Sequence, residues 1–580
     1  MRFSDSDWLV SMDSDELEIL KDKIEKQSLF LEQWRQPVEP LLFETLRAID
    51  KVFCQELFES DVGPTDEQIL ESFLLTWGVN KALARMVPDK FGHGPFRLFP
   101  STPSTQQQAD EFLLQCGILE KAELFQGWIA EGLVRARSDV LSNALPSGIE
   151  KILVLKSDDP SLFNEIISMT HREWMSELTH EFDQYWEKRL EKRHFDILPE
   201  LVKRVDKFGG WGMTYSTNDE IDEYFLEWGQ VYLRRMWGQD LVGPEEMIGR
   251  NQFKDYLGLL AALSGRAQKH LCFAAILKRR HPELDLRNLL TNYCNYDDFV
   301  VFLAHHLDAD RLHIQKLLSN LTLECGNKDI HTKSAEPAWA PVVRSSNVNC
   351  ILPLYGMEIN PFHFLLRDLQ AKYPQDWFHV ANNRESRWIV DLKNIFRSER
   401  WIVRDRNIQL RDEGRTVTDI DFLVYDRNNN ELAIFQLKWQ QPVGPDNRAR
   451  RSAGKNLVVE GNKWVAAVYA WLEKYGVDEL SRRSKIAMKP SVHVELFVVA
   501  RYNVFFSGYA LGDRRAVWAD WNHLLKVRFE NSGASVQQFG GMLRAQNERI
   551  TSSYPGESYA FPIDDLAIIL NPTSEPTGQL

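Results

Sequence analysis

A chain of 580 residues is too long to close around one hydrophobic core, so about two to four domains are expected. With 44% hydrophobic and 26% charged residues it has the make-up of a soluble globular protein, and no run of about 18 uncharged apolar residues exists to form an ordinary transmembrane helix. The net charge of −14 excludes a protein that coats nucleic acid over its whole surface, while leaving room for a local basic groove.

The opening residues, Met1-Arg2-Phe3-Ser4-Asp5-Ser6-Asp7, show no basic segment leading into an apolar stretch, so no secretory signal is read and a cytoplasmic location is expected. From about Asp13 to Leu323 apolar residues recur at three- and four-residue spacing, which predicts helices over Glu16–Trp34, Ser161–His194, Tyr256–Arg280 and Ala309–Leu323. Breaks such as Pro37-Val38-Glu39-Pro40, Gly92-His93-Gly94-Pro95 and Gly209-Gly210-Trp211-Gly212 punctuate the stretch. It divides into a helical region, residues 1–145, and a helical domain, residues 146–335. The short apolar run Lys151-Ile152-Leu153-Val154-Leu155 reads as an isolated strand. Most of the 18 Trp fall in the first 400 residues; Trp34, Trp77, Trp128, Trp174, Trp186, Trp211, Trp228 and Trp237 read mainly as core anchors. Cys54, Cys116, Cys272, Cys294, Cys325 and Cys350 form no Cys-x-x-Cys pair, which argues against a zinc ribbon or a disulfide scaffold and fits a reducing compartment. His305-His306 with Asp308 and Asp310 reads as core plus surface, because adjacent histidines point to different helix faces.

Between Gly326 and Asn349 the periodicity fades, which marks a domain boundary. Beyond it the pattern predicts helices over Pro361–Lys372 and Glu385–Ser398, then strands over Trp401–Leu410, Thr418–Tyr425 and Glu431–Trp439. A helix over Leu457–Tyr475 and a strand over His493–Ala500 follow. Helix, three strands, helix, strand is the order of an α/β layer, here residues 350–510, with a central mixed sheet flanked by helices. Residues 511–580 read as a C-terminal extension ending in a loose tail from Asn571 to Leu580.

The chemistry concentrates in that layer. Two β-rich runs flank the turn Asp426-Arg427-Asn428-Asn429-Asn430 and predict a hairpin. In the second run Gln436 and Lys438 share one face, an unusual polar pair in an otherwise apolar strand. Asp421 on the neighbouring strand can stand beside them, so a carboxylate, an amide oxygen and an ammonium surround one point. Oxygen donors of this kind suit Mg²⁺, which keeps several waters and accepts phosphate oxygens. From Ala381 to Lys463 sixteen Lys and Arg outnumber twelve Asp and Glu, against the acidic balance of the whole chain. Arg448, Arg450, Arg451 and Lys455 form a basic loop directly after the strand, suited to gripping phosphates. Asp419 shares a strand face with Asp421 and is expected to act behind it. No Gly-x-x-x-x-Gly-Lys-Ser/Thr is present, since Gly454-Lys455 has Ala449 and Asn456 at the other key positions.

Asp-x(14)-Gln-x-Lys on a hairpin resembles the signature of the PD-(D/E)XK nuclease superfamily in its Gln-for-Glu form, with Ile420-Asp421 in place of the usual Pro-Asp. The resemblance covers about 130 residues and does not reach the first 340. It implies that Asp421 is the central ligand of Mg²⁺ (or Mn²⁺), that Gln436 and the Leu437 carbonyl are further ligands, and that Lys438 is the catalytic lysine. Glu385, on the preceding helix, takes the place of the family's helix-borne glutamate, and Gln441 that of a downstream Gln contacting the site. The activity implied is phosphodiester hydrolysis, in DNA first and RNA as the alternative. A nuclease-like domain kept only for binding is the rival reading. The helical part is then expected to sense a protein partner or a nucleic-acid feature, and family analogy suggests a role in bacterial defence or restriction. A homo-oligomer is compatible with double-strand cleavage, and no membrane contact is expected.

Overall fold

The computed structural model describes residues 14–34, 38–58, 65–91, 94–95, 97–139, 149–156, 164–236, 240–334, 336–439, 447–502, 504, 512–552 and 559–571. They form an α/β protein with large helical regions and several small mixed sheets. No helix among these residues is long and apolar enough to cross a membrane.

The first half is built from helices whose starts are written into the sequence. Thr65 caps the helix Asp66–Trp77 through a reciprocal bond with Gln68, and Thr102 does the same for Pro103–Ala130, where Pro103 occupies the first turn. Asn218 caps Asp219–Leu233, which opens with three acidic residues that favour the positive end of the helix. Asp219–Leu233 lies against the long helix Phe253–Arg280, and the two approach through glycines. A Cβ on Gly229 would sit inside the carbonyl of Ala261, and one on Gly265 inside the carbonyl of Phe225. The backbone itself is the obstacle, so no side chain can move aside. Gly265→Ala is therefore expected to cost about 2–3 kcal/mol by overpacking, seen as a lowered melting temperature. An unchanged melting temperature would mean the helices can part at no cost.

The run Lys151–Lys156, expected to be an isolated strand, pairs on both edges. Arg135–Asp139 lies antiparallel on one side, and Leu566–Asn571 lies parallel on the other, itself turned back from Tyr559–Ile563. An apolar strand with two open edges leaves its amides unpaired, and here the missing partner comes from the far end of the chain. The expected extension after residue 510 thus contains strands that complete a sheet within the helical region. Leu153, Leu155, Phe561, Ile563 and Ile568 share a core with Phe125 and Trp128.

The C-terminal layer begins with helix α1 (Pro374–Asn394). Strand β1 (Trp401–Arg404) follows, then a protruding hairpin, β2 (Ile408–Asp412) and β3 (Arg415–Ile420). Next come β4 (Phe422–Asp426), β5 (Glu431–Lys438), α2 (Asn447–Gly454), α3 (Glu460–Ser484), β6 (His493–Ala500), β7 (Ala516–Asp520), α4 (Trp521–Glu530) and α5 (Val536–Ser552). The sheet order is β1-β4-β5-β6-β7, antiparallel up to β5 and parallel from β5 to β7. One face packs on α3 through Ile434, Leu496, Trp464 and Val468. The other packs on α1, α4 and α5 through Phe422, Phe435, Trp388, Leu524 and Phe539. Because both faces are covered, Phe422–Tyr425 of β4, Leu432–Phe435 of β5 and Leu496–Ala500 of β6 are continuous apolar runs. The sheet runs past residue 510: β7 supplies its fifth strand, and α4 and α5 complete one face.

Candidate active site

Asp421 sits at a break in the chain, where β3 of the protruding hairpin gives way to β4 of the sheet. Its N–H donates to the Phe435 carbonyl at 3.2 Å, which ties the break to β5. Its carboxylate is almost wholly buried, at 4% exposure. The Leu437 N–H donates to Oδ2 at 2.7 Å, and the Gln436 side-chain amide donates to the same oxygen. In a strand the N–H and C=O of one residue face the same edge, so the Leu437 carbonyl looks toward Asp421 as well. Burial pushes the Asp421 carboxyl up to about 7, with Glu385 and Asp419 adding to the rise and the Leu437 N–H and Lys438 opposing it.

Lys438 is half-buried at the end of β5 and forms no ion pair among the described residues. Lys438 and Asp421 form no salt bridge, so an ion pair between them is not what holds the strand end. Glu385 projects from α1; the residue is exposed, yet the protein around its carboxyl raises its pKa, with Asp419 adding and Lys438 opposing. Exposure is averaged over the whole residue, whereas the titration follows the carboxyl alone. Asp419 is held from two sides: its carboxylate accepts from Asn407 Nδ2 at 2.6 Å, and its carbonyl accepts from Trp464 Nε1 at 2.6 Å. Asp421, Gln436, Lys438, Glu385 and Asp419 thus share one electrostatic neighbourhood. It lies at the carboxyl ends of the parallel strands, where open α/β sheets place their ligands.

Among the described residues no three His, Cys, Asp or Glu gather closely enough to make a cation cage of those side chains alone. A cation here would depend on Asp421, the Gln436 oxygen, the Leu437 carbonyl, Glu385 and water. That donor set is all oxygen, with few carboxylates, and suits Mg²⁺, which keeps its waters. The Gln436 amide would have to turn over to present Oε1 in place of the NH₂ it now offers to Asp421, a flip that exchanges nearly isosteric groups.

The basic loop is divided. Arg451 is exposed, but its guanidinium pairs with Glu131 at 2.6 Å and donates to the Glu131 carbonyl at 2.9 Å. It joins the layer to the helical region rather than facing solvent alone. Arg448 is exposed on α2, and Lys455 is exposed on the π-helical turn Lys455–Val459, a local widening of the helix that recurs at functional sites. Gln441 and the side chain of Arg450 lie outside the described residues.

Sequence reasoning did not find a second cluster beside the site. Arg501, the residue after β6, donates its N–H to the Lys438 carbonyl at 3.1 Å. Its guanidinium lies among Trp388, Trp439 and Trp521, at 5.8, 4.9 and 5.3 Å from their rings. It pairs with Asp240 of the helical region, which also accepts from the Tyr502 hydroxyl at 2.8 Å. Arg384 and Arg387 of α1 donate to the Leu241 carbonyl at 2.9 and 3.2 Å. The segment around Asp240 therefore grips both the helix that carries Glu385 and the strand end that carries Lys438. No family model matches the chain, and neither a curated protein nor a solved structure matches it.

Proposed function

We propose that this protein is a Mg²⁺-dependent nuclease that hydrolyses phosphodiester bonds, with DNA as its substrate and the helical region as sensor or partner-binding module. The observation that carries this reading is the buried Asp421 carboxylate, facing Gln436 and Leu437 and set within the field of Glu385 and of Lys438, which has no ion-pair partner among the described residues. A carboxyl crowded by burial and by other acids is a group that a divalent cation would stabilise. Asp421, Gln436, the Leu437 carbonyl and Glu385 would hold it, and when bound it would supply Lewis acidity to the phosphate. Lys438 would place its ammonium beside the scissile phosphate, orient the attacking water and offset the charge that develops as the bond breaks. Lys455 and Arg448 would approach the backbone from the side of α2.

The test is a cleavage assay of the full chain with Mg²⁺ or Mn²⁺ on plasmid, linear duplex, single-stranded DNA and RNA, with Lys438→Ala in parallel. Cleavage that disappears in the variant supports the reading, and the substrate panel then separates DNA from RNA. Cleavage that persists in Lys438→Ala rules the site out. Silence of the wild type on every substrate favours a domain retained for binding. Lys455→Ala is expected to weaken nucleic-acid binding evenly across sequences and to reduce the slope of log K against log salt by about 1. A salt titration that gives equal slopes would remove Lys455 from the interface.

A further inference from the structure

Two thiols face each other across a strand pair in the helical region. The strand Asn292–Asn295 is the edge of a four-stranded sheet, and its neighbour Asn349–Leu352 runs antiparallel to it with Cys350 directly opposite Cys294. Their Sγ atoms are 3.5 Å apart. Directly opposed residues of such a pair have Cα atoms about 4.5–5.5 Å apart. A disulfide accepts a Cα separation of about 4.4–6.8 Å, so side-chain rotation is enough to close the bond.

The thiols are not equivalent. Cys294 lies on the edge strand and is half-buried, whereas Cys350 lies one strand further in and is wholly buried. The hydrogen bond with Cys350, and after it the Arg266 guanidinium, hold the Cys294 thiol below its ordinary value, while Cys350 is pushed up. The thiolate is the attacking form. Cys294 is thus placed to meet a reagent from solvent and Cys350 to resolve the product from inside.

We propose that Cys294 and Cys350 form a dithiol–disulfide site that takes a small-molecule disulfide as its oxidant. The Cys294 thiolate attacks one sulfur of the oxidant, whose S–S bond breaks and releases one thiolate. Cys350 then attacks Cys294 Sγ and expels the second thiolate, which takes up the Cys350 proton as it leaves. The protein gives up two electrons and two protons in all, and the oxidant is reduced to two thiols. The cross-link encloses the helices Tyr296–His306 and Arg311–Leu318 in a covalent loop and restricts the unfolded chain.

The experiment uses the native full chain, equilibrated with graded ratios of reduced and oxidised glutathione, then acid-quenched, alkylated and measured by intact mass and peptide mapping. The wild type is expected to lose two hydrogens and to yield a peptide joining Cys294 to Cys350, with a raised melting temperature. Cys350→Ser is expected to stop with one glutathione on Cys294, and Cys294→Ser to give neither product. Mapping the wild type needs no variant, so misfolding of either substitution does not spoil the result. Absence of the joined peptide at every ratio, or its replacement by a different cysteine pair, overturns the proposal.

Discussion

With divalent cations chelated, Asp421→Asn will melt at a higher temperature than the wild type at pH 8. Asparagine keeps an oxygen for the Leu437 N–H and removes a buried negative charge. In the folded protein Asp421 is pushed up to about 7, above the ordinary carboxylate value of 3.8, so the carboxyl favours the folded state while it is protonated there. That advantage is lost as pH rises through the folded value, where ionisation costs more inside the protein than in the open chain. The gap between variant and wild type should therefore be widest at pH 8, on the order of 2–4 kcal/mol, and narrow steadily toward pH 4. Adding Mg²⁺ at pH 8 should raise the wild-type melting temperature and leave Asp421→Asn unmoved. Cleavage should fall by about 10³-fold or more in the same variant, since the anionic charge of the proposed metal ligand is gone. A variant that melts lower at pH 8, or that still responds to Mg²⁺, would show that Asp421 is an ordinary structural carboxylate.

The second large effect is expected from Asp240→Ala. Arg501 is 9% exposed in its side chain and enclosed by three indoles, so losing Asp240 leaves a guanidinium in a mostly apolar cage and removes one acceptor of the Tyr502 hydroxyl. Breaking a buried pair from this side costs about 3 kcal/mol, the lower end of the usual range, because Asp240 itself is 37% exposed. Arg501→Met should cost about 1 kcal/mol or less, since Asp240 can return to water and the methionine can fill the cage. In the Arg501→Met background, Asp240→Ala should then have little further effect. Equal costs for the two single variants in denaturant unfolding would argue against this cage as the source of the coupling. Tryptophan emission should report the change directly, because Trp388, Trp439 and Trp521 all contact the guanidinium.

Much of the layer was legible because its strands obey simple rules. Phe422–Asp426 and Glu431–Lys438 are short apolar runs separated by an Asp/Asn turn, and only one polar pair, Gln436 and Lys438, interrupts the second. That interruption pointed to Asp421, which accepts from the Gln436 amide and lies within the electrostatic field of Lys438 and Glu385. The hairpin β2–β3 was less visible: alternation seemed to run on from Trp401 to Leu410, although Asp405-Arg406-Asn407 separates two strands that belong to different sheets. Ala516–Asp520 is too short and too weakly patterned to stand out, and becomes a strand because β6 offers an open edge. Leu566–Asn571 carried a clear apolar signal, but nothing local says that its partner is Lys151–Lys156. Asp240 and Arg501 illustrate the same limit. Each is an ordinary charged residue in sequence, and their pairing depends on how two regions dock.

The strand pairing of Lys151–Lys156 with Leu566–Asn571, backed by the salt bridges of Lys23 to Asp564 and Asp565, bears on how the molecule is made. Translation delivers Lys151–Lys156 long before its parallel partner exists, so on the ribosome this apolar strand must wait with an open edge. A contact between segments so far apart in sequence is expected to form slowly. A chain cut short before residue 566 keeps its candidate catalytic residues but leaves the edge of Lys151–Lys156 open, an aggregation-prone surface that would give quality-control proteases a reason to remove it.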